Sequence, residues 1–480
     1  MKTKEDVFKE YDIRGKWGVE IDKEFVTNFA GAFLEYLNNV ILRRTQDVNI
    51  FRFHSKNRSL KILISRDKEN VSKKAYAILK RELIKNGAEV TDGGEATIPL
   101  HNFASGTEKT DGAIMVTASH LPKNYTGFKI AKNGTEPIEP KELKEIMMNE
   151  EFLIYNKTGI LNKKVDFCLR RNDSMRGKEI KKNYLEKYAD FLVKEIKIKK
   201  EWRVAIDASG GGTGKILNEV LKKLPKIKAE KICFEKCGHN DNPLEKKNWK
   251  EIEKEIDSRL RGNDRKKKQS RDDLGVMFDG DGDRIVFFNE KGKFINPSSI
   301  LAALIKGIKP KGFVGNVNVG MAVKENADKF IETRTGHIFI KKEMREEGVE
   351  MGGEHSGHIY FKRNFYTEDP VFAFLKLLEI LEKSGKKLSE AVKEADPYFK
   401  TEEKNFKISE ENFEKIKEKI KKKFKKEGIS EIDGIKISGK NWWFNLRKSG
   451  TEDKTRLNVE AKSEEELKKI KKEVNKIIKG

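Results

Sequence analysis

Three carboxylates alternate with two glycines in Asp279-Gly-Asp-Gly-Asp283-Arg284, directly after the apolar run Leu274-Gly-Val-Met-Phe278. Carboxylate oxygens suit hard divalent cations such as Mg²⁺ or Ca²⁺. The glycines permit a backbone tight enough for alternate side chains to converge on one ion. A calcium-binding EF-hand is the competing reading. Counted from Asp279, acids fall at loop positions one, three and five, and Glu290 falls at position twelve. Position six, which needs glycine for its turn, is Arg284, and the residues before Asp279 read as a buried strand instead of a helix. A Mg²⁺ site at a strand end is therefore favoured, with an acidic turn lacking any ligand as the plain alternative.

Four further stretches carry side chains able to do chemistry. Thr117-Ala-Ser-His-Leu-Pro-Lys-Asn-Tyr-Thr-Gly-Phe-Lys129 follows a strand's carboxyl end, where open α/β sheets place ligands. Ser119 there needs an activating neighbour, and His120 and Lys129 are the candidates; an ordinary turn is the bland reading. No G-x-S-x-G elbow accompanies it, so an ester hydrolase is not indicated. Tyr11-Asp-Ile-Arg-Gly15 places Arg14 at a glycine-terminated bend, which also reads as a surface turn. Gly352-Gly-Glu-His-Ser-Gly-His358 gathers a carboxylate, a hydroxyl and two imidazoles, a set suited to hydrogen-bonding vicinal hydroxyls. Arg447-Lys-Ser-Gly-Thr-Glu-Asp-Lys-Thr-Arg456 offers guanidinium, hydroxyl and backbone donors around a glycine, as a phosphate cradle requires.

The elements that must position these residues are legible as alternation. Apolar runs at 60–65, 112–117, 204–207, 274–278 and 313–317 read as strands, and 72–86 as an amphipathic helix ending at Gly87. Alternating strands and helices argue for parallel α/β units over the first 395 residues. After Pro397 the character changes: lysine-rich helices at 411–426 and 463–479 flank short strand-like segments at 434–438 and 456–461, predicting a smaller α+β domain. Polar segments near 43–58, 168–178 and 256–272 read as surface-loop insertions, two of them sharing the similar strings Leu169-Arg-Arg-Asn-Asp173 and Leu260-Arg-Gly-Asn-Asp264.

The 480 residues predict several domains, and 36% hydrophobic residues suffice for their cores. A charged start, Met1-Lys-Thr-Lys-Glu-Asp6, and the lack of any long apolar window predict neither a signal peptide nor a membrane span, so a cytoplasmic location is expected. Cys168, Cys233 and Cys237 are too few and too odd in number for a disulfide framework. Cys233 and Cys237 with His239 lack a fourth zinc ligand nearby, so structural roles are expected. The formal charge of +23 invites a nucleic-acid reading, but the lysines interleave with glutamate along amphipathic helices and read as solvated faces. No specific nucleic acid and no membrane partner is expected, and the positive field also suits an anionic small substrate.

Taken in order from residue 11 to residue 456, the five motifs resemble one family, the α-D-phosphohexomutases, and within it the phosphomannomutase/phosphoglucomutase branch. The resemblance implies an α/β protein with three related α/β domains of mixed sheets plus a smaller C-terminal α+β domain around a central cleft. It divides the chain at 1–155 with the phosphoserine loop, 156–296 with the metal loop, 297–395 with the sugar-recognition loop and 396–480 with the phosphate loop. It implies that Ser119 is phosphorylated and that Asp279, Asp281 and Asp283 hold Mg²⁺ with an oxygen of that group. Arg284 then lies beside the phosphoryl group, Glu354 and Ser356 hold the sugar's 3- and 4-hydroxyls, and Arg447, Ser449, Gly450 and Thr451 take the distal phosphate. Tyr11, Arg14, His120, Lys129, His337 and His358 match positions of phosphate contact, substrate contact or proton transfer.

The implied reaction interconverts hexose 1-phosphate and hexose 6-phosphate of mannose or glucose, through a bound hexose 1,6-bisphosphate that also serves as activator. Phosphoglucosamine mutases share most of the framework, but Tyr11-Asp-Ile-Arg and Gly-Glu-His-Ser-Gly-His point to the mannose/glucose branch. The partner is a small phosphosugar, and a monomer or weak homodimer is expected. Departures from the family pattern are Leu121 and Thr126 in place of asparagine, Lys448 and Asp453 in place of proline, and Asn318 where some members carry lysine.

Overall fold

A computed structural model describes residues 4–44, 59–117, 119, 121–149, 177–235, 237, 242–261, 274–450 and 454–479. Four sheets follow one another along the chain. The first centres on strands Lys61–Arg66, Glu89–Glu95, Gly112–Val116 and Tyr125–Lys132. The second is built on Trp202–Asp207, Ile227–Ile232, Leu274–Phe278 and Ile285–Phe288. The third uses Phe313–Asn316, Phe330–Thr333, Met351–Gly353 and Ile359–Phe361.

These three sheets repeat one pairing scheme: two parallel pairings, then one antiparallel pairing made by a hairpin. Lys61–Arg66 lies parallel to both Glu89–Glu95 and Gly112–Val116, and the latter turns back antiparallel through Tyr125–Lys132. Trp202–Asp207, Leu274–Phe278 and Ile285–Phe288 repeat the arrangement, as do Phe313–Asn316, Met351–Gly353 and Ile359–Phe361. Each hairpin turn therefore projects from the carboxyl end of a strand in the parallel set, where α/β sheets present ligands. The Ser119, Asp279–Asp283 and Glu354–His358 segments occupy these three equivalent turns. Three related α/β domains with mixed sheets are thus observed as expected.

Burial explains why the strands read so apolar. Leu274–Phe278 is buried throughout, and the largest core cluster runs from Leu63 and Phe103 through Val204 and Phe278 to Phe313 and Met351, fusing all three sheets. Helices between strands begin where the sequence caps them. Thr97 accepts from Leu100 N at 3.3 Å, Asn296 from Ser298 N at 2.9 Å and Asp369 from Phe372 N at 3.4 Å, each just ahead of a proline in the first turn.

The C-terminal unit has its own core around Phe413, Ile420, Phe444 and Val474. Its sheet is antiparallel, and the hairpin of Trp442–Lys448 with Thr455–Ala461 carries Ser449 and Gly450 at its turn. Helix Glu410–Lys423 keeps its lysines on a solvated face, paired as Lys415–Glu411 and Lys421–Glu418. Among the described residues no helix is long and apolar enough to cross a membrane.

Three expectations need correction. The segment 256–272 is not wholly structureless, because helix Lys250–Arg261 runs into it and Ile256 is buried against the second sheet; most of the remainder, and nearly all of 43–58 and 168–178, lies outside the described residues. Strand Lys178–Lys181, beyond position 155, pairs parallel with Glu89–Glu95 and completes the first sheet's edge, because Gly177 allows close approach to the Ala88 carbonyl. Cys233 and Cys237 are joined in a disulfide: a left-handed Cys233, φ 49°, brings their Cα atoms to 4.7 Å across a four-residue step.

Candidate functional site

The three hairpin turns converge. Ser119 adopts a left-handed backbone, φ 56°, which costs a non-glycine residue energy and is held by a hydrogen bond from its N–H to Thr117 Oγ1 at 2.9 Å. That conformation aims its hydroxyl at the acids: Ser119 Oγ donates to Asp281 Oδ1 at 3.2 Å. The serine expected as reactive and the carboxylates expected to hold metal thus share one site. Helix Ile98–Glu108 anchors the same loop, since Ile98 N donates to Asp281 O at 2.9 Å.

Asp279, Asp281 and Asp283 are all buried, with carboxylate oxygens within 4.8 Å of one another. Burial and the charges of Asp283 and Asp281 raise the pKa of Asp279 well above the usual range, and burial and Asp283 raise that of Asp281. Burial opposes ionisation of Asp283 too, but Lys129 and His358 outweigh it and hold its pKa well below the usual range. Asp279 Oδ2 and Asp283 Oδ1 are buried without a hydrogen-bond donor. Three clustered acids with orphaned oxygens fit a hard divalent cation, whose charge would relieve the repulsion.

The EF-hand reading fails on geometry. Asp279 follows a strand, and Glu290 binds Ser389, accepting from its N–H at 3.2 Å, instead of turning toward the acids.

Cations surround the cluster. Lys129 Nζ lies 2.6 Å from Asp283 Oδ2 and 3.7 Å from Asp281 Oδ2. Burial alone would lower its pKa, but Asp283, Asp281 and Glu368 hold it as an ammonium, the opposite of what a proton acceptor needs. Arg284 sits 3.6 Å from Asp279 and 3.9 Å from Asp283. Register places Arg14 opposite Gly127, two residues from Lys129 on the neighbouring strand, and Asp12 orients its guanidinium through a two-point contact.

His337 is part-buried, and its Nε2 lies 3.0 Å from the Tyr11 carbonyl. A carbonyl accepts only, so Nε2 carries the proton and Nδ1, which has no partner, presents its lone pair. Burial and the neighbouring Lys341 and Lys129 keep the ring neutral. Tyr11 also packs edge-on to His337 at 6.0 Å, tying the first domain to the third.

On the third turn, Glu354 is engaged on both oxygens. Oε1 accepts from Asn316 Nδ2 at 3.1 Å and Gly336 N at 3.0 Å, and Oε2 from Tyr360 at 2.7 Å, with His358 Nδ1 at 3.3 Å. Burial would raise its pKa, but the contacts from His358, Tyr360 and Gly336 hold it at about 2. Ser356 Oγ lies 2.8 Å from His358 Nδ1. Arg447 is buried, its Nη1 donating to the Lys448 carbonyl at 3.1 Å and lying 3.7 Å from Asp433. Gly450 packs against Tyr11. His120 and Thr451 lie outside the described residues.

Further contributors lie beside the expected site residues. Thr117 braces Ser119 and approaches Asp281 Oδ2 at 3.5 Å. Burial raises the pKa of Asp67 to about 6 beside Ser72, Thr117 and Asp281. Asn318 accepts from Asn445 of the fourth domain at 3.0 Å, so it links the third and fourth domains. Thr117 opens the serine motif and Asn318 stood out as a departure from the family pattern, whereas nothing in the sequence marks Asp67.

Comparison with known proteins agrees with this architecture. The phosphoglucomutase/phosphomannomutase alpha/beta/alpha domains I, II and III match residues 5–152, 182–292 and 296–398, and the C-terminal domain of that family matches 399–477. A phosphomannomutase from Methanocaldococcus jannaschii is 32% identical over 98% of this chain and 97% of its own length. A phosphoglucosamine mutase from Methanococcus vannielii is 28% identical over 84% and 89%. The solved structure of a phosphoglucomutase/phosphomannomutase family protein from Burkholderia thailandensis superposes with a TM-score of 0.78 at 22% identity, over 100% of this chain and 98% of that one. The chain belongs to the phosphoglucomutase/phosphomannomutase family, a family of isomerases.

Proposed function

We propose that the protein is a mutase interconverting hexose 1-phosphate and hexose 6-phosphate, of mannose or glucose, through a phosphorylated Ser119 and a bound 1,6-bisphosphate. The observation that carries the reading is Ser119 Oγ at 3.2 Å from Asp281 inside a buried acidic cluster. In the forward half-reaction the Ser119 Oγ–P bond breaks as a P–O bond forms to the sugar's free hydroxyl, which loses its proton. The bisphosphate turns end for end, and the other phosphoryl group returns to Ser119. Such transfer needs chiefly alignment and charge neutralisation.

Asp279, Asp281 and Asp283 would hold Mg²⁺, which when bound neutralises charge on the phosphoryl oxygens. Lys129, held as an ammonium, and Arg284 add fixed positive charge beside it. His337 is the favoured proton acceptor because its Nδ1 lone pair is open, although its depressed pKa makes it a weak base. Arg447, Ser449 and Gly450 would cradle the distal phosphate, with Tyr11 against them and Arg14 supplying a further cation. Glu354 and Ser356 would meet the sugar hydroxyls after Glu354 exchanges one of its present partners.

Glucose and mannose differ only at C2, so a clamp on O3 and O4 does not separate them. Phosphoglucosamine mutase is the second reading, supported by a relative of that name at 28% identity. Rates on glucose 1-phosphate, mannose 1-phosphate and glucosamine 1-phosphate, each with glucose 1,6-bisphosphate present, decide between them. Comparable rates on the first two support the proposal, and a strong preference for the amino sugar overturns it.

A further inference from the structure

Glu10 immediately precedes the Tyr11-Asp-Ile-Arg turn of the first domain, yet its carboxylate rests on the turn of the fourth. A Cβ built on Gly450 would come within 2.4 Å of Glu10 Oε2 and 3.3 Å of the Tyr11 ring, so the carboxylate lies against the Gly450 backbone. Glu10 Oε1 pairs with Arg334 of the third domain, whose guanidinium lies 4.7 Å from the centre of the Phe339 ring. Asp433 braces the surroundings: it accepts from Thr335 N at 3.0 Å and lies 3.7 Å from Arg447 Nη1. Three domains therefore meet around one carboxylate.

A carboxylate and a phosphate monoester ask for the same partners, namely guanidinium groups, hydroxyls and backbone N–H groups. We infer that Glu10 is an internal stand-in for substrate phosphate, covering the approach to the Arg447-Lys448-Ser449-Gly450 turn and giving way when a phosphosugar enters. The inference rests on that turn being the phosphate cradle. Its consequence follows from the reaction, because the bisphosphate must release this cradle before it can turn. A carboxylate that swings back compensates Arg334 and Arg447 as the phosphate departs, which weakens ground-state binding and eases release. Burial raises the pKa of Glu10 while Arg334 opposes that rise and Asp433 adds to it, as expected for a carboxylate inside a mixed-charge junction.

The test uses inorganic phosphate as the probe, on the full-length wild type, Glu10→Gln and Glu10→Asp. Calorimetry reads phosphate affinity without turnover, and the mutase assay reads KM for glucose 1-phosphate. Because the Glu10–Arg334 pair is half-exposed, Glu10→Gln is expected to tighten both constants by about three- to fivefold. The gain should shrink in about 0.5 M salt. Glu10→Asp, which keeps the charge but withdraws it by one methylene, should shift both constants in the same direction by less, and it carries the test should Glu10→Gln fail to fold. Unchanged or weaker phosphate binding in a variant with wild-type Tm overturns the inference. A wild type that binds phosphate but does not isomerise sugar phosphates overturns the enzymatic reading instead, with the calorimetric comparison still deciding the role of Glu10.

Discussion

Arg284 and His358 join two domains at the site: Arg284 Nε lies 3.2 Å from His358 Nε2, and their backbones form an antiparallel bridge. The acidic turn of the second sheet and the imidazole turn of the third are thereby one structure. His358 also lies 3.3 Å from Asp283 Oδ1, so it orients an acid of the cluster from the neighbouring domain. Replacing His358 with alanine should lower metal affinity and kcat/KM by about 10- to 100-fold, the usual effect of losing a group that orients a ligand. Divalent-ion titration of activity checks this; an unchanged titration curve would deny the coupling.

The acid cluster makes a prediction of opposite sign for stability. Burial and like charges oppose ionisation of Asp279, so Asp279→Asn should leave the chelator-treated protein at least as stable as wild type. The same variant should lose the stabilisation given by Mg²⁺, which for wild type at a hundredfold excess over Kd amounts to about 2.7 kcal/mol. Thermal melts with and without Mg²⁺ measure both. An equal rise in Tm for the two proteins would show that the ion binds elsewhere.

Gly211 packs against the acidic turn from behind. A Cβ there would meet Gly280 O at 2.2 Å, a contact with backbone that no rotamer relieves. Gly211→Ala should cost about 1–3 kcal/mol and shift the turn, lowering activity beyond what the loss of folded protein explains. Chemical denaturation and specific activity per folded molecule separate the two effects.

Much of this arrangement was legible in the amino acids, and what was not has physical causes. Leu274–Phe278 announced a strand because it is buried on both faces, and the acids after it announced a turn because glycine alternates with them. The strand ahead of Ser119 was legible from its apolar run, and the loop bearing Glu354 from its flanking glycines. Partners distant along the chain were not. Nothing near residue 354 indicates that Asn316, Gly336 and Tyr360 will satisfy its carboxylate, and nothing near residue 10 points to Gly450. Nothing near Lys129 in the sequence indicated that Asp283 would lie 2.6 Å from it.

Asp369 supplies a pH signature away from the acid cluster. Burial raises its pKa to about 6 despite Arg363 and the hydrogen bond from Tyr188 at 2.8 Å. The folded state therefore holds this proton up to about pH 6, while the unfolded chain releases it near pH 3.9. Between those values the folded state binds more protons, so stability falls as pH rises through the window. Asp369→Asn lacks this term. Relative to that variant, wild type should lose about 2 kcal/mol between pH 4 and pH 7. Denaturant titrations at both pH values test it, and a difference that does not vary with pH would contradict the assignment.

The account stands most directly on the covalent state of Ser119. Intact-protein mass spectrometry with peptide mapping should find a substoichiometric phosphate on Ser119, removed by adding unprimed hexose phosphate and restored by glucose 1,6-bisphosphate. Ser119→Ala should carry none. A phosphate mapped to another residue, or a Ser119 that stays unmodified after exposure to the bisphosphate, would contradict the account.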